Sequence, residues 1–124
     1  MVMSIRLREM AEHLAKLAPG RVEFNETSDY FSLDLVQGNP KNAVGIHEDY
    51  VTFIIVADEL KCRVEAAGFD IRPKQMKKHE YEQDKFEIRG LDAKMIDGNE
   101  VLFQDLIESS IQALERNNRQ TGRS

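Results

Sequence analysis

The chain has one cysteine, Cys62, in 124 residues, so an internal disulfide is impossible. At this length about two thirds of the unfolded surface is buried on folding, enough for a core that needs neither disulfide nor metal. A lone thiol points to a reducing compartment. No apolar run approaches the roughly 20 residues a membrane-crossing helix requires. The start, Met1-Val2-Met3-Ser4-Ile5-Arg6, has no basic segment followed by an apolar block, so no secretory signal is expected. These absences predict a cytoplasmic protein with no membrane attachment. Chemical motifs are missing too. There is no CxxC pair and no glycine-rich phosphate loop. Ser109-Ser110 lies in a helical pattern rather than on the strained turn of a nucleophile elbow. Neither an internal repeat nor an interdomain linker is visible. A single domain over 1–117 with a polar, flexible tail at 118–124 is expected.

What the chain does have is an uneven charge. Between Val22 and Leu60 eight acids (Glu23, Glu26, Asp29, Asp34, Glu48, Asp49, Asp58 and Glu59) face only Lys41, a net −7. The remainder carries 16 bases and 14 acids. An acidic region repels phosphate backbones and attracts basic partners, so nucleic acid is not expected as a partner and a basic protein is.

One run, Tyr50-Val51-Thr52-Phe53-Ile54-Ile55-Val56-Ala57, is apolar at nearly every position and rich in β-branched and aromatic residues. It reads as a central strand covered on both faces. Around it, Leu7, Met10, Ala11, Leu14 and Leu17 form a helical stripe within Ser4–Ala18, with Ser4 as its cap and Pro19-Gly20 as its stop. Arg21–Asn25 and Tyr30–Gln37 alternate and are joined by polar turn formers, a hairpin signature. Gly38-Asn39-Pro40-Lys41-Asn42 is a strong turn signal, and Ala43–Ile46 is a candidate short strand. Asp58–Ala67 fits two patterns. Leu60, Cys62, Val64 and Ala66 alternate as in a strand. Asp58 as a cap, the Leu60–Val64 spacing and the close at Gly68-Phe69 favour a helix. Phe69–Arg72 and Lys85–Arg89 read as strands on either side of a charged, mobile connection over Lys74–Gln83. Leu91, Met95 and Ile96 are expected to pack back onto the body. Asn99 is placed to cap a last helix, Glu100 to about Arg116, striped by Phe103, Leu106, Ile107, Ile111 and Leu114. The fold class is therefore α+β: an antiparallel sheet of four to five strands, with an N-terminal helix, a short middle helix and a long C-terminal helix packed on it.

His47-Glu48-Asp49 is the densest group of potential metal ligands, but three consecutive turn residues do not aim at one point about 2 Å away. No metal or cofactor is expected. A neighbouring carboxylate is expected to raise the His47 pKa. Cys62 is expected on an apolar face as unreactive filler.

The order helix, three strands, then Glu59-x-Lys61 resembles the PD-(D/E)xK nuclease core. The resemblance implies magnesium held by Asp34 or Asp49 together with Glu59, with Glu9 or Glu12 on the first helix and Lys61 beside the attacking water. Asp49 and Glu59 sit at opposite ends of the apolar strand, roughly 25 Å apart, which leaves the arrangement of Asp34, Glu59 and Lys61. Element order, size and acidity also resemble the small acidic dimeric chaperones of type III secretion, which implies protein binding; no residue motif carries that likeness, and a homodimer is expected because a sheet of four or five strands leaves edges to cover. From the residues themselves, the leading expectation is a non-catalytic protein-interaction module (adaptor, chaperone or inhibitor-like). It binds a basic protein through Glu23, Glu26, Asp29, Asp34, Glu48 and Asp49. A magnesium-dependent nuclease and a small-molecule-binding protein with its pocket between sheet and final helix are the alternatives.

Overall fold

A computed structural model describes residues 5–27, 29–37, 42–74 and 85–121. The chain runs α1 (Ile5–Ala15), β1 (Val22–Glu26), β2 (Phe31–Leu35), β3 (Asn42–Ile46), β4 (Tyr50–Ile54), α2 (Asp58–Ala66), β5 (Asp70–Pro73), β6 (Lys85–Arg89), α3 (Ala93–Asp97) and α4 (Glu100–Thr121). The strands form one antiparallel sheet in the order β1-β2-β3-β4-β6-β5. The α+β class and all three expected helices are present. The sheet has six strands because Asn42–Ile46 is a full strand, and a further short helix, α3, fills the stretch before α4. Among the described residues no helix is long and apolar enough to cross a membrane. The expected Ser4 cap, the turn at 38–41, most of the 74–83 connection and the last residues of the tail lie outside the described residues.

Period-two alternation puts one side of every strand against the helices. Phe31, Leu33 and Leu35 of β2, Val44 and Ile46 of β3, Val51 and Phe53 of β4, and Ile88 of β6 are all buried on that side. The register makes them neighbours: Phe31 lies opposite Ile46, Ile46 opposite Val51, and Val51 opposite Ile88. Helix α1 contributes Leu7, Met10, Ala11 and Leu14, and α4 contributes Phe103, Leu106, Ile107, Ile111 and Leu114. Phe103 meets Phe53 and Phe69 at ring distances of 6.1 and 5.6 Å.

The middle segment is a helix. The strand-like alternation of Leu60, Cys62, Val64 and Ala66 is overridden because only Leu60 and Val64 are buried, and they lie four apart. Its cap is Ala57 rather than Asp58, with Asp58 in the first turn. It ends where the glycine signal placed it. Gly68 takes φ +92°, and the N–H of Phe69 bonds back to the Val64 carbonyl at 3.3 Å. Cys62 is exposed on α2 rather than on an apolar face. Asn99 begins α4 through its carbonyl, which accepts from Phe103, while its side-chain amide donates to the Met95 carbonyl and closes α3.

The apolar run at Tyr50 divides in two. Only Tyr50–Ile54 is strand; Ile55 remains buried beyond it, and Val56 is exposed. The strand's end is pinned to α4. Ile54 N–H donates to Ser110 Oγ at 2.8 Å, and Ser109 Oγ donates to the Ile54 carbonyl at 2.6 Å. That exchange explains the paired serines. They satisfy a backbone N–H and carbonyl that leave the ladder inside the core, where an unmade bond costs about 1–3 kcal/mol.

Candidate functional site

No described helix packs on the other side of the sheet. In register, that side carries Glu23 and Asn25 of β1, Ser32 and Asp34 of β2, Gly45 of β3, Tyr50 and Thr52 of β4, Glu87 and Arg89 of β6, and Asp70 and Arg72 of β5. The run at Tyr50 was expected to be covered on both faces. It is buried on both, although no described helix covers this side, and Thr52 is still only 3% exposed.

At the centre is an aromatic ladder. The His47 ring stacks between Tyr30 and Tyr50, with centroids 4.5 and 4.6 Å away and planes tilted by 18° and 22°. The three rings meet because the β1–β2 and β3–β4 turns lie at the same end of the meander, so Tyr30 and His47 leave neighbouring strands together. His47 N–H bonds to the Tyr50 carbonyl at 2.8 Å and holds the turn. The imidazole itself has no hydrogen-bond partner among the described residues. Burial, then the charges of Lys74 and Lys85, hold its pKa below the ordinary value, and Glu87 only partly opposes them. The expected upward shift is thus reversed. Glu48 and Asp49 are exposed at the turn, while the ring is folded back over the sheet beside lysines.

Glycine makes that position possible. A Cβ on Gly45 would stand 2.9 Å from His47 Nε2 and 2.8 Å from Thr52 Oγ1, closer than real contacts allow. The hydroxyl of Thr52 accepts the Gly45 N–H at 3.1 Å. Beyond the ladder the face is cationic. Lys74 Nζ donates to Tyr50 Oη at 2.8 Å and lies 4.5 Å from that ring's centroid; the hydrogen bond holds its ammonium above the ordinary pKa despite burial. The Arg89 guanidinium stands 5.4 Å over Tyr50, and its Nη2 donates to Glu87 Oε1 at 2.8 Å. Arg89 Nε is a buried donor with no hydrogen-bond partner among the described residues. A cavity of about 190 Å³ opens between the ladder and the cations, lined by Tyr30, Asn42, Ala43, Gly45, His47, Thr52, Lys74 and Lys85.

The acids on the β1–β2 half are divided. Glu26 pairs with Arg8 at 3.2 Å, and Asp34 accepts from the Asn25 amide and from Ser32 Oγ. Glu23, Asp29, Glu48 and Asp49 are exposed, and their carboxylates have no partner among the described residues. The Glu48 carbonyl accepts from Arg6, whose second nitrogen reaches the Leu91 carbonyl, fastening the turn to the body.

The residues picked for a nuclease reading are not brought together. Asp34 is on the open side of β2, the second strand of the sheet. Glu59 and Lys61 are on α2, which packs on α4 and on β5, four strands away, roughly 19 Å at sheet spacing. Lys61 pairs with Asp58 at 3.4 Å and lies over the Phe86 ring. Among the described residues no three His, Cys, Asp or Glu side chains are grouped to hold a metal ion. The ladder, Lys74 and Lys85 escaped sequence reasoning. By sequence Tyr30, Tyr50 and Lys85 read only as strand residues, and Lys74 as part of a charged connection. The available signal was the aromatic at each turn boundary, Tyr30 before β2 and His47 and Tyr50 around the next turn.

No protein-family model, no curated protein and no solved structure matches this chain.

Proposed function

We propose that this protein is a non-catalytic interaction module that binds a basic protein segment at the turn end of its open sheet face. The observation that carries the reading is the grouping of exposed Asp29, Glu48 and Asp49, whose carboxylates have no partner among the described residues, on the two turns that also present Tyr30, His47 and Tyr50. Partly exposed tyrosines supply contact area at low entropic cost, and a rim of one charge steers and orients a complementary partner. Glu23 extends the acidic rim along β1, whereas Glu26 and Asp34 are held by neighbours inside the fold. An adaptor or chaperone role in a reducing cytoplasm is the setting we infer for such a surface.

The test is fluorescence anisotropy with a labelled lysine- and arginine-rich peptide and an acidic peptide of equal length, at low and high salt. The basic peptide alone binds, more weakly as salt rises. Neutralising the turns with Asp29→Asn, Glu48→Gln and Asp49→Asn weakens it about tenfold or more. Equal affinity for both peptides, or no effect of the triple variant, removes the reading.

A second copy of the chain is a further partner in this proposal, since β1 and β5 are the outer strands of the sheet and each has one side of its backbone without a strand partner among the described residues. Sedimentation across a wide concentration range decides it; a monomer throughout excludes the homodimer.

A further inference from the structure

We infer that the cavity beside the aromatic ladder is a binding site for a small oxyanion, a carboxylate or a phosphate, held between Lys74, Lys85 and the His47 ring. This site does not depend on the acidic turns and stands whether or not a basic partner binds there.

The argument starts from the lining. Eight described residues line the cavity, and none of these eight is a carboxylate. They supply two ammonium groups, an amide from Asn42, a hydroxyl from Thr52 and an imidazole with no hydrogen-bond partner among the described residues. The two lysines come from consecutive partners at the β5–β6 end, where Lys74 N–H bonds to the Lys85 carbonyl at 2.8 Å. Their side chains therefore emerge together on the open side. Among the described residues, the acid that pairs with Lys74 is shared. Glu87 lies 3.5 Å from Lys74 Nζ, but its carboxylate is also held by Arg89 at 2.8 Å. The depressed pKa of His47 reports the same positive potential, since both lysines contribute to it.

Shape narrows the ligand. A volume of about 190 Å³ is below the roughly 300–1,000 Å³ of pockets that take drug-sized molecules, so the fit is to a small anion rather than a nucleotide. The floor is glycine, Gly45, with no side chain to fill the space; a Cβ there would collide with His47 Nε2 and Thr52 Oγ1. The wall is the Tyr30–His47 stack, which suits the flat apolar part of an organic carboxylate. Small planar acids and phosphate share the recognising chemistry, and the experiment separates them.

The full chain, labelled so that the His47 ring resonances are resolved, is titrated with inorganic phosphate, with benzoate and with chloride at constant ionic strength. Saturable shifts of the His47 signals are expected with phosphate, benzoate or both, and not with chloride. Saturation by phosphate alone assigns a phosphate site, by benzoate alone a carboxylate site, and by both a general oxyanion site. Lys85→Met and Lys74→Met, each checked for folding by circular dichroism, weaken the response about tenfold. Gly45→Ala, which occupies the floor, abolishes it. Shifts linear in concentration, shifts equal with chloride, or unchanged affinity in both folded lysine variants overturn the inference.

Discussion

The two faces of the sheet are closed by different means. On one, Phe31, Leu33, Ile46, Val51, Phe53 and Ile88 are buried under α1 and α4. On the other, Ser32 and Thr52 are also buried, yet no described helix packs there, and the side carries stacked rings and cations instead. The first kind of burial is non-directional and scales with apolar area; a fully buried Phe or Ile contributes about 1.5–3 kcal/mol. The second rests on oriented pairs, each worth about 0–1 kcal/mol when partly exposed. A face held by many weak directional contacts adds less stability, and it leaves polar groups such as the His47 imidazole and Arg89 Nε without hydrogen-bond partners among the described residues.

That contrast is breakable by measurement, and the largest effect belongs to the covered face. Phe53→Ala is expected to cost about 3–5 kcal/mol in chemical denaturation, since its ring is wholly buried against Phe103. A loss below about 1 kcal/mol would mean the helices cover the sheet loosely. Next comes Ser110→Ala, which strands the Ile54 N–H in the core and is expected to cost about 1–3 kcal/mol. Hydrogen exchange at Ile54 should quicken along with it; unchanged protection contradicts the pinning of β4.

On the open face, Gly45→Ala is expected to cost about 1–2 kcal/mol by crowding His47 and Thr52. Combining it with His47→Ala should recover part of that loss, and strict additivity of the two changes would show that the ring is not packed on the glycine. The smallest effect is the pH response. Because burial and two lysines hold the folded His47 below its ordinary 6.5, the unfolded chain takes up a proton first as pH falls. The unfolded state then binds more protons, so stability declines below about pH 6.5 and levels off once the folded form is protonated too. The denaturation midpoint of His47→Gln should fall less over this window than that of the parent; parallel curves refute the assignment.

Much of the covered face was legible in advance. Alternation in Tyr30–Gln37 and Lys85–Arg89, and the stripes of α1 and α4, mark the residues that turn inward, because apolar area seeks cover wherever the chain takes it. Gly68 could be read as a helix stop because its positive φ is a local need. Other features were misread for equally physical reasons. The apolar run suggested two covering layers, but three of its eight residues, Ile55 to Ala57, lie beyond the strand. Asp58 looked like a cap, and Ala57 holds that place. Asp34 and Glu59 looked like partners because strands and helices were counted in chain order, whereas the sheet inserts β6 between β4 and β5 and sets α2 at the far edge.

The sequence by itself determined the α+β class, the burying faces of α1, α4, β2 and β6, and the acidity of the β1–β4 region, since these follow from spacing and charge along the chain. Only the tertiary structure decided that His47 stacks between Tyr30 and Tyr50, and that Lys74 and Lys85 gather beside it over a glycine floor. The reason is distance in sequence. Register and strand order bring those residues together across several strands, and both are fixed by the packing of the whole sheet on its helices rather than by any stretch of the chain.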